Sequence, residues 1–75
     1  MGVVVVKISA PKNRLGYVLS ELQVIMSEKE LSYFEEWMRG QTVGVDQETN
    51  EIYYYIYDVH RFLAMSRGGI PTIWD

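Results

Sequence analysis

The stretch EIYYYIYDVHRFLA, residues 51–64, changes period part-way, and this switch constrains the fold more than any other feature of the chain. Alternation places Ile52, Tyr54 and Ile56 on one face of a strand and Tyr53, Tyr55 and Tyr57 on the other. Asp58 then opens a helix as its N-cap, with Val59, Phe62 and Leu63 inward and Gly68-Gly69 as its stop. The isoleucine face belongs to the core. The tyrosine face has three candidate covers: the C-terminal IPTIWD tail through Ile73 and Trp74, a protein partner, or stacked nucleic-acid bases.

A chain of 75 residues has room for one domain and buries only roughly 60% of its unfolded surface, so every apolar segment is needed. With no cysteine, disulfides and thiol chemistry are absent, and stability rests on packing or on association. The opening GVVVVKISA, residues 2–10, reads as a strand, buried in a small sheet or paired with another molecule, and Pro11 ends it. Leu15, Val18, Leu19, Leu22 and Met26 form a helical stripe with Asn13 as the expected N-cap. Ser27 and Glu30 are spaced as a capping box for a second helix over about 28–39, with Leu31, Phe34 and Met38 inward, Trp37 beside them and Gly40 ending it. Segments 42–46 and 51–57 form a hairpin that turns at Asn50.

The expected fold is a single α+β domain over 1–75, in the order strand, helix, helix, strand, strand, helix. Its helices pack on a two- or three-stranded antiparallel sheet. Residues 1–12 are a strand or arm, 13–69 the core and 70–75 a tail.

The residue types required for catalysis do not converge. His60 is the one histidine, expected to face solvent in the first turn of the third helix, so a metal site would have to be nearly all carboxylate. Glu35 and Glu36 are neighbours on a helix and diverge by about 100°. No glycine-rich phosphate loop is present. A non-enzyme is expected, with no metal, cofactor or small-molecule substrate. No segment approaches the roughly 20 apolar residues of a membrane span, so a cytoplasmic chain without membrane contact is expected.

Charge is segregated. Residues 1–20 carry Lys7, Lys12 and Arg14 and no acid, while residues 21–58 carry nine acids against Lys29 and Arg39, within a net charge of −3. From Ser20-Glu21-Leu22 through Trp37-Met38-Arg39-Gly40, a hairpin, and Asp58-Val59-His60-Arg61-Phe62-Leu63, residues 20–64 resemble the small winged helix-turn-helix domains of excisionases and MerR-type regulators. That resemblance implies duplex DNA as partner, with Lys7, Lys12, Arg14, Arg39 and Arg61 as candidate contacts. "WMRGQT", "YYY" and "DVHRFL" are similar to short uncharacterised reading frames of archaeal viruses and plasmids, and enrichment in Val, Ile, Glu and Tyr fits a heat-adapted source.

The helix that such a domain lays in the major groove here carries Glu28, Glu30, Glu35 and Glu36, and the wing tip DQETNE has no cation. Phosphate contacts dominate affinity for duplex DNA, so this charge favours a protein-interaction module of a mobile element, with the DNA-binding regulator as the alternative. The partner is a second copy or another protein. The candidate interface is Tyr53, Tyr55, Tyr57, Val4 and Val6.

Overall fold

The computed structural model describes residues 4–74. Met1 to Val3 of the expected arm and Asp75 of the tail lie outside the described residues. The chain is a small α+β domain of three helices and two sheets, ordered β1 (Val5–Ser9), β2 (Gly16–Val18), α1 (Leu19–Ile25), α2 (Glu28–Trp37), β3 (Gly44–Val45), β4 (Ile52–Tyr55), α3 (Ile56–Arg67) and β5 (Ile70–Trp74). One sheet is antiparallel in the order β2-β4-β3; the other is the parallel pair β1-β5.

The second helix follows its local code. Ser27 Oγ accepts from Glu30 N–H at 3.2 Å, and Glu30 Oε1 accepts from Ser27 N–H at 3.1 Å, which satisfies two otherwise unpaired donors. Phe34 and Met38 are buried, with Leu31 and Trp37 packed against the core. Gly40, at φ 81°, supplies the left-handed residue after the helix. In the hairpin, Asp46 N–H donates to Glu51 O at 2.8 Å, and Asn50 takes the expected positive φ of 62°. Gly68, at φ 66°, caps α3 by donating to Ala64 O.

Several expectations are corrected, most of them by pairing between distant segments. The first helix begins at Leu19, because Gly16–Val18 is a strand whose Tyr17 pairs with Tyr54. Tyr17 is fully buried and donates its hydroxyl to Ser9 O at 2.7 Å, while Leu15 and Leu19 of the expected stripe are exposed. Asn13 is no helix cap: its Oδ1 accepts from the N–H groups of Leu15 and Gly16, closing a turn in which Arg14 has positive φ. The half-box at α1 is made by Glu21, which accepts from the N–H groups of Val18 and Lys12.

The aromatic strand stops at Tyr55 because its last partner is Gly16, the first residue of β2. Without a neighbouring strand to receive its backbone groups, the chain coils, and Ile56 and Tyr57 enter α3. The N-cap is therefore Tyr55, and Asp58 stands in the first turn, where its charge complements the helix dipole. The paired part of the other hairpin strand is shorter than residues 42–46, only Gly44–Val45.

The tail is a strand, not a cover for tyrosines. Ile70–Trp74 runs parallel to β1 in the register Val5 to Ile70 through Ser9 to Trp74. The third strand of the antiparallel sheet is consequently β2 rather than the N-terminal valine run. Between the two sheets and the helices lies one core, with Phe34 edge-on to both Phe62 and Tyr54, at centroid distances of 5.2 and 5.1 Å.

Candidate functional site

The tyrosine face divides. Tyr53 is buried, although no tail crosses it, because its ring lies over strand residues that have no side chain. A Cβ on Gly44 would collide with the Tyr53 ring, and one on Gly16 would meet both that ring and the Tyr54 backbone. Bare glycine backbone on each flanking strand is the floor on which Tyr53 rests, and Tyr55 packs edge-on against it at 5.6 Å. Tyr57 stands apart on α3 and is 70% exposed. Val4 is exposed near the start of the parallel pair, and Val6 is half-buried against the core. The five candidate interface residues thus do not share one surface.

The five candidate DNA contacts are spread out, and Lys7, Arg39 and Arg61 are engaged by other side chains. Lys7 sits over the Trp74 ring at 4.1 Å. Lys12 lines a cleft of about 210 Å³ with Glu21, Asp46 and Glu51. Arg14 borders a separate hollow beside Ile56 and Ile73. Arg39 pairs with Glu36 at 2.8 Å on the exposed end of α2. Arg61 lies against two aromatic rings, Trp37 at 5.2 Å and Tyr57 at 5.5 Å.

This last arrangement is the most concentrated group on the surface. Trp37, at the end of α2, is anchored by Phe62 at 5.8 Å and Phe34 at 6.2 Å, so its indole is fixed from below. Arg61 is placed over it from α3, and Tyr57, one helical turn before Arg61, brings a second ring to the same guanidinium. Arg61 stays exposed while lying against both rings. Trp37 lies beside the inward face of α2, as expected; Tyr57, expected on a strand, belongs to α3, and its spacing of four from Arg61 identifies the pair once α3 is known to begin at Ile56.

His60 does not face solvent as expected. It is half-buried, its Nε2 is enclosed without a hydrogen-bond partner, and desolvation pushes its pKa below the usual 6.5. Tyr17, buried beside β1 and near Glu21, has its phenol pushed up to about 12. Among the described residues no group of three His, Asp or Glu side chains gathers as a metal site, and no helix is long and apolar enough to cross a membrane. The chain matches no protein-family model, no curated protein and no solved structure.

Proposed function

We propose that the chain is a small non-enzymatic accessory protein that binds another protein, a module of the kind that viruses, plasmids and other mobile elements carry. The observation that supports this reading is the Tyr57–Arg61–Trp37 stack, which joins α2 and α3 on an exposed surface. Tyr, Trp and Arg dominate the energetics of protein interfaces, because they offer large contact area with few rotamers to freeze. Contact with two rings leaves the guanidinium fewer rotamers to freeze on binding. The binding surface is this stack, with the Glu36–Arg39 pair on its rim.

The test is affinity capture with cross-linking in cells of the source organism, using the native chain and the double variant Tyr57→Ala/Arg61→Ala. Loss of at least tenfold of a specific protein with the variant supports the reading. Equal capture by both chains sinks it.

A second reading, a winged-helix DNA-binding regulator, is favoured by one observation: the α1–α2 pair is followed by the β3–β4 hairpin, and β2 joins that hairpin in a three-stranded sheet. The exposed residues of α2 include Glu28, Glu35 and Glu36 against the single cation Lys29, and the hairpin holds Asp46, Glu48 and Glu51, so phosphate is repelled where that reading needs it bound. Duplex DNA is therefore expected to bind no tighter than about 10⁻⁴ M at about 0.15 M salt. Submicromolar binding with a log–log salt slope of roughly −3 to −5, tightened by Glu35→Lys/Glu36→Lys, would make DNA recognition the better reading.

A further inference from the structure

Two strands do not make a self-sufficient sheet, and a two-stranded parallel pair exposes backbone on both edges unless something covers it. The edges of the β1-β5 pair differ in kind. Ile70 N–H donates to Val4 O at 2.8 Å and Ala10 N–H donates to Trp74 O at 3.1 Å, which fixes the phase of the ladder. By alternation, Val6 and Ile8 turn their backbone groups toward β5, and Val5, Lys7 and Ser9 turn theirs away.

Along that outward edge, Ser9 O is taken by the Tyr17 hydroxyl, which leaves the N–H and C=O of Val5 and Lys7 facing outward. On the far edge of β5, Pro71 has no N–H to offer, and a proline there is the usual way a sheet edge is blunted. The antiparallel sheet is guarded differently: its outer strand β2 is buried or half-buried along its whole length, and β3 is only two residues long. Among the described residues the Val5–Lys7 edge of β1 therefore remains open.

The surface area leaves room for a partner of protein size. The chain exposes 5485 Å², whereas a compact monomer of 8.8 kDa exposes about 4800 Å². The surplus, about 700 Å², is close to the roughly 800 Å² that each partner gives up in a standard interface. The radius of gyration of 12.3 Å also exceeds the roughly 11 Å of a compact 75-residue body. Exposed apolar side chains lie along the ribbon, with Val4 60%, Val5 54% and Ile70 58% accessible.

We infer that two copies of this chain join through the Val5–Lys7 edge of β1, antiparallel about a two-fold axis, to form a four-stranded sheet ordered β5-β1-β1-β5. In the register that sets Val5 opposite Lys7 of the second copy, each of these residues exchanges both backbone bonds, and no two lysines oppose each other. Because each chain has one such edge, the assembly closes as a dimer and does not grow into a filament. The inference rests on the reading of the chain as an interaction module and names one partner, its own copy, on a surface separate from the Trp37–Arg61–Tyr57 stack.

Sedimentation equilibrium of the full chain from 1 to 500 µM is expected to show about 18 kDa, twice the chain mass, at the upper concentrations. Val5→Pro removes an outward N–H and leaves the bonds to β5 in place, and it should weaken dimerisation at least tenfold with the circular-dichroism spectrum unchanged. A second measurement decides the matter if that variant fails to fold: in the native chain, amide exchange at Val5 and Lys7 should slow at least tenfold from low to high concentration, while Val6 and Ile8 stay protected throughout. A monomer of about 9 kDa across the range, or Val5 and Lys7 amides that exchange equally fast at every concentration, overturns the dimer. Either result leaves capture through Tyr57 and Arg61 to stand or fall on its own experiment.

Discussion

Arg67, the last residue of α3, holds Glu30, in the first turn of α2, through two bonds of 2.8 Å, Nε to Oε2 and Nη2 to Oε1. The same Nη2 donates to Ile25 O at the end of α1, again at 2.8 Å, so one guanidinium ties three helix ends. Glu30 is at once the capping-box acid of α2 and the anchor of α3. Its side chain is 23% exposed and that of Arg67 29%, which places the pair between a solvated surface bridge and a buried one.

Acid stability follows from this pair. The hydrogen bond from Arg67, together with those at Ser27, lowers the Glu30 pKa from 4.5 to about 2. A carboxylate lowered on folding contributes stability that is full above its unfolded value and is lost as pH falls from about 4.5 through about 2. Glu30→Gln should cost about 1–2 kcal/mol at pH 7 and flatten the decline in that window, as read from urea midpoints at pH 7 and pH 3. An equal decline in native and variant chains would place the acid sensitivity elsewhere.

The aromatic core predicts a steep response at Phe62. That ring meets Phe34 at 5.2 Å and Trp37 at 5.8 Å, and the residue is 6% exposed. Phe62→Ala should cost about 3–5 kcal/mol, comparable with the whole stability of many chains of this size. It would also free Trp37 from below, so near-ultraviolet circular dichroism should lose its tryptophan signal along with the melting transition.

Gly44 and Gly16 are expected to respond differently to alanine. At Gly44 the obstacle is the Tyr53 ring, a side chain that can swing aside, and Gly44→Ala should cost about 1–3 kcal/mol with increased exposure of Tyr53. At Gly16 the nearest obstacle is the Tyr54 carbonyl, which belongs to the β2–β4 ladder, so Gly16→Ala should cost more than Gly44→Ala. Pairing each change with Tyr53→Ala gives the check in a double-mutant cycle: the cost at Gly44 is largely recovered, and that at Gly16 is not.

Near neutrality the sensitive group is His60. Its pKa is lowered by burial, so the neutral ring is the form that the fold accepts. Stability from this group is full above its unfolded value of about 6.5 and is lost as pH falls through the lower folded value. His60→Leu removes the unpartnered Nε2 and should be neutral or stabilising by up to about 1–2 kcal/mol. The melting temperature of the variant should change less between pH 7.5 and pH 5 than that of the native chain, a window above the one set by Glu30.

What the sequence determined by itself was whatever closes within a few residues. The Ser27–Glu30 box, the left-handed Gly40, Asn50 and Gly68, and the apolar stripes of α2 and α3 were legible because a cap, a turn or a helical face depends on neighbours three or four positions away. Tertiary structure alone decided the strands. Gly16–Val18 has a helical spacing on both sides and becomes a strand because Tyr54, far along the chain, supplies its ladder; Ile56 and Tyr57 continue a strand pattern and become helix because no ladder reaches them. The tail likewise needed Val5–Ser9 to become β5. For the candidate site the same division holds: Arg61 and Tyr57 are local neighbours, but only the packing of α2 on α3 sets Trp37 beneath them, and only the two sheets together show that β1 keeps one edge unpaired. Backbone hydrogen bonds in a sheet carry no local periodicity that names their partner, so a single sequence records that a strand exists without recording what it pairs with.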